Sequence, residues 1–346
     1  MKFVSLPLRP IFPVMDAQSV RQLPEGPDWQ YEPKWDGFRC LAFRDHDEIV
    51  LQAKSGKSLD RFFPDIVALL KSLPVLYFIL DSELVIPVAG ELSFEALQMR
   101  LHPAASRVRM LAAAHPATLI VFDLLVDADG RDVTRTPLKE RRRLLERFHV
   151  RFARGRERFF LSPATTDRQE AMEWFRRSGS ALDGIVAKRL DFNYRSGDRT
   201  GMVKYKNIRS ADCVVGGFRY MAEQKLVGSL LLGLYGEDGL LHHVGYTSSI
   251  KDSERKDLTQ RLKGLKGPPG FTGRSPGGPS RWAPQHSGDW EPLKPALVVE
   301  VEYDHFTGGR FRHGTRLMRF RPDKSPIQCR FDQLDQKSLK SLWKDF

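Results

Sequence analysis

The stretch Glu32-Pro33-Lys34-Trp35-Asp36-Gly37-Phe38-Arg39 places a lysine two residues ahead of an Asp-Gly pair, with an arginine shortly after. Asp-Gly alone is a common hairpin signal, so in isolation the stretch reads as a charged turn between two strands. Its weight comes from an ordered series of further segments along the chain. Downstream stand Ala53-Lys54-Ser55-Gly56, Leu80-Asp81-Ser82-Glu83 and Phe122-Asp123-Leu124-Leu125. After these come Asp183-Gly184-Ile185-Val186-Ala187-Lys188, Val203-Lys204-Tyr205-Lys206 and, near the end, Arg321-Pro322-Asp323-Lys324.

Working outward, residues 37–54 read as two β segments separated by the charged run Arg44 to Glu48. Asp60 to Leu73 has helical spacing in Phe63, Ile66, Leu69 and Leu70, with Pro64 in the first turn. Strand runs are expected at Val75–Pro87, Ala117–Val126 and Gly184–Lys188, and helices at Glu91–Leu101, Lys139–Phe148 and Asp167–Ser178. Beyond residue 210 the texture changes to short β runs, at Cys213–Tyr220, Gly228–Tyr235 and Leu240–Tyr246. One amphipathic helix follows at Lys251–Leu265, then a Pro/Gly-rich loop from Gly264 to Gly288, then strands at Ala296–Phe306 and Arg310–Phe320. Five strands with one helix between the third and fourth fit a small Greek-key barrel of the OB type.

The chain has 346 residues, 55 Lys+Arg against 43 Asp+Glu, and a formal charge of +12, which points to two domains and a polyanionic partner. Three scattered cysteines with no CxxC spacing exclude a disulfide framework and a structural zinc site. The amino-terminal segment lacks the apolar core of a signal peptide, and no apolar run reaches membrane-spanning length, so a cytoplasmic protein without a membrane partner is expected. No catalytic triad, P-loop or dinucleotide fingerprint is present, and His305 and His313 receive no role.

The ordered series resembles the motifs of the covalent nucleotidyltransferases: ATP-dependent DNA ligases, RNA ligases and mRNA-capping enzymes. It runs from about residue 7 to about residue 330. The surrounding text, including SFEALQMRLHPAASRVRML, KNIRSADCVVGGFR and GSLLLGLYGEDG, is most similar to short bacterial C-type DNA ligases. The ligase domain of the end-joining ligase D is second. The resemblance implies an α+β fold with an N-terminal nucleotidyltransferase (adenylation) domain, residues 1–208, followed by a C-terminal OB-fold β-barrel, residues 209–346.

Chemistry can be read beside the resemblance. A lysine attacks only as the free amine, and its ordinary pKa of about 10.4 must fall for attack at neutral pH. Nearby cations achieve this, and Arg39, Lys54, Lys188, Lys204 and Lys206 are available if the fold gathers them. Lys34 would then attack the α-phosphate of ATP, expel pyrophosphate and hold AMP, while the same cations neutralise phosphoryl charge. Glu83 and Asp183 are the candidates to hold Mg²⁺ or Mn²⁺. The resemblance places Phe122 on the adenine face, Glu32 at the adenine edge, and Arg39, Lys54 and Arg199 near ribose or phosphate. Asp36 orients the backbone and lysine of its own motif. Two positions depart from the family pattern: Asp183 stands where Glu is usual, and Lys54 where Arg is usual.

Arg321 and Lys324 would approach ATP in the first step and orient the pyrophosphate. The other basic residues near the end, with Lys139, Arg141, Arg142 and Arg143 on the helix, would track DNA phosphates. One arrangement cannot serve ATP and DNA alike, so movement about a hinge at Lys206–Ala211 is expected. The reading is therefore an ATP-dependent DNA ligase that seals nicked duplex DNA in repair, as a monomer, beside a primase-like polymerase or other repair proteins. An RNA ligase or capping-type enzyme shares the lysine chemistry, and an inactive OB-type nucleic-acid-binding protein shares the charge.

Overall fold

A computed structural model describes residues 5–178, 182–277 and 289–334. The chain falls into two compact units, one running to Asn207 and the other beginning at Ile208.

In the first unit the strands are β1 (Gln18–Val20), β2 (Trp29–Lys34), β3 (Phe38–Asp45), β4 (Glu48–Ala53) and β5 (Tyr77–Val85). They continue as β6 (Thr118–Val126), β7 (Phe159–Leu161), β8 (Gly184–Arg189) and β9 (Met202–Lys206). Helices α1 (Pro64–Lys71), α2 (Phe94–Arg100), α3 (Ala105–Ala114), α4 (Leu138–Phe148) and α5 (Arg168–Ser178) lie among them. One sheet runs β4-β3-β5-β6-β7 and the other β1-β9-β8-β2. The mixed α/β reading of this half holds, with α3, β1, β2, β7 and β9 added to the expected elements.

Period-two alternation decides what each sheet buries. On β2 and β8, Tyr31, Ile185 and Ala187 turn to a core shared with Ala171 and Trp174 of α5. Glu32 and Lys34, at the alternate positions of β2, turn the other way, as do Val186 and Lys188 on β8. On the larger sheet Cys40, Ala42, Leu80 and Leu84 pack with Ile66 and Leu70 of α1 and Leu145 of α4. The opposite face, with Leu41, Phe43 and Ile79, joins Met15, Tyr194 and Met202 in a separate cluster.

Two glycines fix close approaches. A Cβ on Gly37 would stand 2.2 Å from the Leu84 carbonyl oxygen, so the chain can turn from β2 into β3 against β5 only there. Gly184 has φ +146°, and its Cβ would meet the Tyr205 oxygen at 2.0 Å. The charged run after Phe43 is tighter than expected. Arg44 and Asp45 belong to β3 and are buried, and Arg44 caps the end of α1 by donating to the carbonyls of Leu70 and Leu73.

The second unit holds β10 (Arg209–Tyr220), β11 (Val227–Tyr235), β12 (Leu241–Thr247), α6 (Asp252–Lys263), β13 (Val298–Tyr303) and β14 (Arg316–Phe320). Their order is β12-β11-β10-β13-β14, with the short strand Glu291–Pro292 also paired to β10. This is the OB-type strand order, but among the described residues the closed barrel expected from sequence is not formed. The sheet edges meet at a single parallel bridge, Thr247 to Thr315, supported by Thr247 Oγ1 donating to the Thr315 carbonyl at 2.9 Å. Residues 278–288 of the Pro/Gly-rich loop lie outside the described residues. The part before them is anchored in the core, because Phe271 is buried there beside Trp290. All three cysteines, Cys40, Cys213 and Cys329, are fully enclosed, and burial pushes each thiol up. Among the described residues no helix is long and apolar enough to cross a membrane.

His243 on β12 is buried with neither ring nitrogen hydrogen-bonded. Burial, reinforced by Arg310 and Arg219, pushes its imidazole down from 6.5 to about 4. The unfolded chain therefore binds this proton more tightly than the folded one. Stability is full above pH 6.5 and is lost as pH falls toward 4. His243→Phe, which strands no hydrogen-bonding group, should remove that slope. In urea titrations at pH 7 and pH 5, wild type should lose about 1–2 kcal/mol more than the variant. Equal losses would refute the neutral buried imidazole.

Candidate active site

Three strands bring the central side chains together. In the β2–β8–β9 ladder, Lys34 lies opposite Gly184, which lies opposite Lys206. One step in, Glu32 faces Val186, which faces Lys204. The N–H of Asp183 donates to the Lys34 carbonyl at 2.9 Å, and the Asp183 carbonyl accepts from Asn207 at 3.1 Å. The Lys34 ammonium is ion-paired with the Asp183 carboxylate. The Asp183 carboxylate, expected to hold a metal, is thus engaged by the Lys34 ammonium.

Further along the same face, Lys188 Nζ donates to Glu32 Oε2 at 2.8 Å. Gln30 Nε2 holds the other oxygen of Glu32 at 2.7 Å. Glu32 is buried, so its charge is balanced by Lys188 rather than left open. Lys188 Nζ also lies 4.7 Å from the Phe122 ring centroid. Arg39 Cζ lies 4.8 Å from the same ring. The ring expected to stack on adenine is thus bordered by two cations, in a pocket lined by Met15, Arg39, Asp81, Phe122, Lys188 and Met202.

The larger sheet supplies the other wall. Arg39 on β3 is in register with Glu83 on β5. Its guanidinium is clamped by Asp81, Nε to Oδ1 and Nη2 to Oδ2, both at 2.6 Å. Tyr194 fixes Asp81 in turn, its hydroxyl donating to Oδ2 at 2.7 Å. Against the cost of burial, Asp81 pushes the Arg39 pKa further up. Burial pushes Glu83 up to about 7, with Lys34 and Arg39 pulling against it. Asp36, in the turn between β2 and β3, acts on Glu83 as a like charge.

Asp16 organises the remaining cations. Lys54 Nζ donates to its Oδ2 at 2.7 Å, and Arg199 Nε lies 3.6 Å from the same oxygen. Against burial, the Lys54 bond and the Ala17 N–H pull Asp16 down to about 2. Lys204 is pushed below the ordinary lysine range by burial. Asp16 opposes that shift, and Lys54, Lys34 and Lys206 add to it. The expected gathering of cations therefore exists, interleaved with carboxylates. In the second unit, Arg321 and Lys324 both bind Asp212.

Sequence reasoning assigned no role to Asp16, Asp81, Tyr194 or Asp212. Asp81 had a readable signal, since in Leu80-Asp81-Ser82-Glu83 alternation puts it on the face of Glu83. The expectation for Arg141 is corrected. It is buried, and Nε and Nη2 donate to Asp123 at 2.9 and 3.0 Å, so it holds β6 to α4 and cannot track DNA. Arg142 is also drawn inward, donating to Glu146 and to the Ser162 carbonyl.

A strand-borne lysine among acids and cations, on a two-sheet unit followed by an OB-type unit, is the architecture of a nucleotidyltransferase. The family described as "ATP dependent DNA ligase domain" matches residues 14–206. The "ATP dependent DNA ligase C terminal region" matches residues 223–324. DNA ligase C2 of Mycolicibacterium smegmatis is 43% identical over 350 residues, covering 96% of each chain. DNA ligase C of Mycobacterium tuberculosis is 40% identical over 354 residues, covering 98% of each. A solved structure titled for Lig E DNA ligases shares the fold, with TM-score 0.57, 15% identity and coverage of 90% of this chain and 100% of that one. The chain belongs to the ATP-dependent DNA ligases.

Arg141 gives a direct test of the corrected assignment. Arg141→Ala strands the buried Asp123 charge and should cost about 3–5 kcal/mol in a denaturant titration. Unchanged stability would return Arg141 to the surface.

Proposed function

We propose that this DNA ligase seals nicks in duplex DNA through AMP carried on Lys34, and that it serves DNA repair. The observation that carries the assignment of Lys34 is its place in the β2–β8–β9 ladder, beside Asp183 and Lys206 and one step from Lys204.

In the first step the Lys34 amine, after giving its proton to solvent, attacks the α-phosphorus of ATP. A phosphorus–nitrogen bond forms, the bond to the pyrophosphate oxygen breaks, and pyrophosphate leaves. AMP then passes to the 5′-phosphate of the nick, and the 3′-hydroxyl displaces it to close the strand. Lys204, depressed by burial and neighbouring cations, and Lys206 offset charge on the phosphoryl oxygens. Phe122 stacks on the adenine, with Glu32 and Lys188 at its edge. Arg39, held rigid by Asp81, and Lys54 and Arg199, held by Asp16, take ribose and phosphate. Asp36 orients the turn that carries Lys34. Arg321 and Lys324 orient the leaving pyrophosphate.

Glu83 and Asp183 would hold the divalent metal. Their donors are all oxygen, and among the described residues no group of three or more His, Cys, Asp or Glu could hold an ion. That donor set fits Mg²⁺ or Mn²⁺, hard ions that complete their shells with phosphate oxygens and water. Bound there, the ion would supply positive charge to the phosphates. Residues 1–208 form the adenylation domain and 209–346 the OB domain in this reading. Nicked duplex DNA is the partner, bound by a monomer that works with a primase-like polymerase or other repair proteins in the cytoplasm.

Lys34→Ala should abolish transfer of label from ATP labelled at the α-phosphate and reduce sealing by at least about 1000-fold. Binding of nicked duplex should stay within about twofold of wild type, since phosphate contacts lie elsewhere. A variant that still seals would rule out Lys34 as the carrier.

A further inference from the structure

Arg321 and Lys324, on the turn after β14, end on one carboxylate. Arg321 Nη1 donates to Asp212 Oδ1 at 2.9 Å and to Oδ2 at 3.2 Å. Lys324 Nζ donates to Oδ2 at 2.7 Å. Asp212 sits near the start of β10 and is only 9% exposed. Its main chain is tied on both sides by one side chain. The Asp212 N–H donates to Gln333 Oε1 at 2.8 Å, and its carbonyl accepts from Gln333 Nε2 at 3.1 Å. Asp212 therefore cannot move without disturbing the sheet.

The other edge of Arg321 is differently held. Nε and Nη2 donate to Asp323 at 3.0 and 2.8 Å. The Asp323 side chain is 61% exposed, so leaving costs it little. Nε with Nη2 is the fork of a guanidinium that grips two oxygens at once, whether of a carboxylate or a phosphate. One carboxylate is thus fixed and the other exchangeable, on opposite edges of a single arginine.

We infer that Asp212 is the positioning residue of the leaving-group site: it keeps Arg321 Nη1 and Lys324 Nζ together while the Nε–Nη2 fork of Arg321 passes from Asp323 to a pyrophosphate oxygen. The anchor is needed because both side chains are long, and ordering them unaided at the moment of reaction would cost conformational entropy. With Asp212 in place two cations arrive as one rigid pair. This inference rests on the assignment of Arg321 and Lys324 to the leaving group of the first step.

The test separates the steps. Asp212→Asn keeps the shape of the side chain but removes the anionic anchor. It should lower kcat/KM for adenylylation of Lys34 at least about 10-fold. Sealing of a nick that already carries AMP, in which no pyrophosphate leaves, should stay within about twofold of wild type. Asp212→Glu should recover part of the loss. In an Arg321→Ala background, Asp212→Asn should add little, as expected of residues that act as a unit. Wild-type adenylylation by Asp212→Asn would overturn the inference. So would an equal fall in both steps with a lowered unfolding midpoint, which marks a merely structural residue. Failure of wild type itself to adenylylate Lys34 would instead defeat the underlying assignment.

Discussion

The site depends on how closely β8 lies against β9 at Gly184. A side chain there would drive a Cβ into the Tyr205 oxygen at 2.0 Å, and the β2–β8–β9 ladder would part at its end. That end holds Lys34, Gly184 and Lys206 within one register line, with Asp183 next to it in the chain. Gly37 makes the matching demand on the other sheet, pressing the turn after Lys34 against Leu84 and Glu83. Two positions with no side chain thus fix the distance between Lys34 on one sheet and the Glu83 carboxylate on the other. The chemistry is arranged by backbone contact before any charge is considered.

Charge then sets orientation. Nearly every cation of the first unit's site meets a carboxylate: Lys188 meets Glu32, Arg39 meets Asp81, Lys54 meets Asp16 and Lys34 meets Asp183. A cation of this kind is pre-aimed but not neutralised for good, because phosphate oxygens can share or replace the partner. The deeper pairs, such as Arg39 with Asp81, are shut from solvent on the carboxylate side, and the more exposed ones, such as Lys54 with Asp16, are open to it. Arg141 shows the extreme case, where a basic residue has become wholly structural.

Much of this was legible in the sequence. The spacing of apolar residues located α1, β5, β6, α4 and the OB-type strands to within a few positions. The ordered motifs named Lys34, Asp183, Lys204 and Lys206, which the fold brings to one end of the β2–β8–β9 ladder. What sequence could not supply was partnership. Asp16, Asp81 and Asp212 are single acids far in sequence from the cations they hold, and only the folded sheets bring them together. The helix carrying Lys139 to Arg143 looked predominantly basic, with Glu140 its only acid in that run, and its charge pattern does not show that Arg141 faces Asp123. Barrel closure escaped for a similar reason: strand count can be read locally, but whether the last edge pairs with the third strand depends on twist and bulges.

The enclosed cysteines have a bearing on where such an enzyme can work. Oxidants attack thiolates, and attack follows exposure and ionisation. Cys40, Cys213 and Cys329 offer neither, being shut in the cores and held protonated. The bond-forming group proposed above, on Lys34, is an amine. Reactive oxygen that severs DNA therefore finds no thiol within reach on the protein that rejoins it, and its sulfur targets are the exposed methionines Met99, Met110, Met221 and Met318. Cysteine oxidation, at least, has no entry point in this fold.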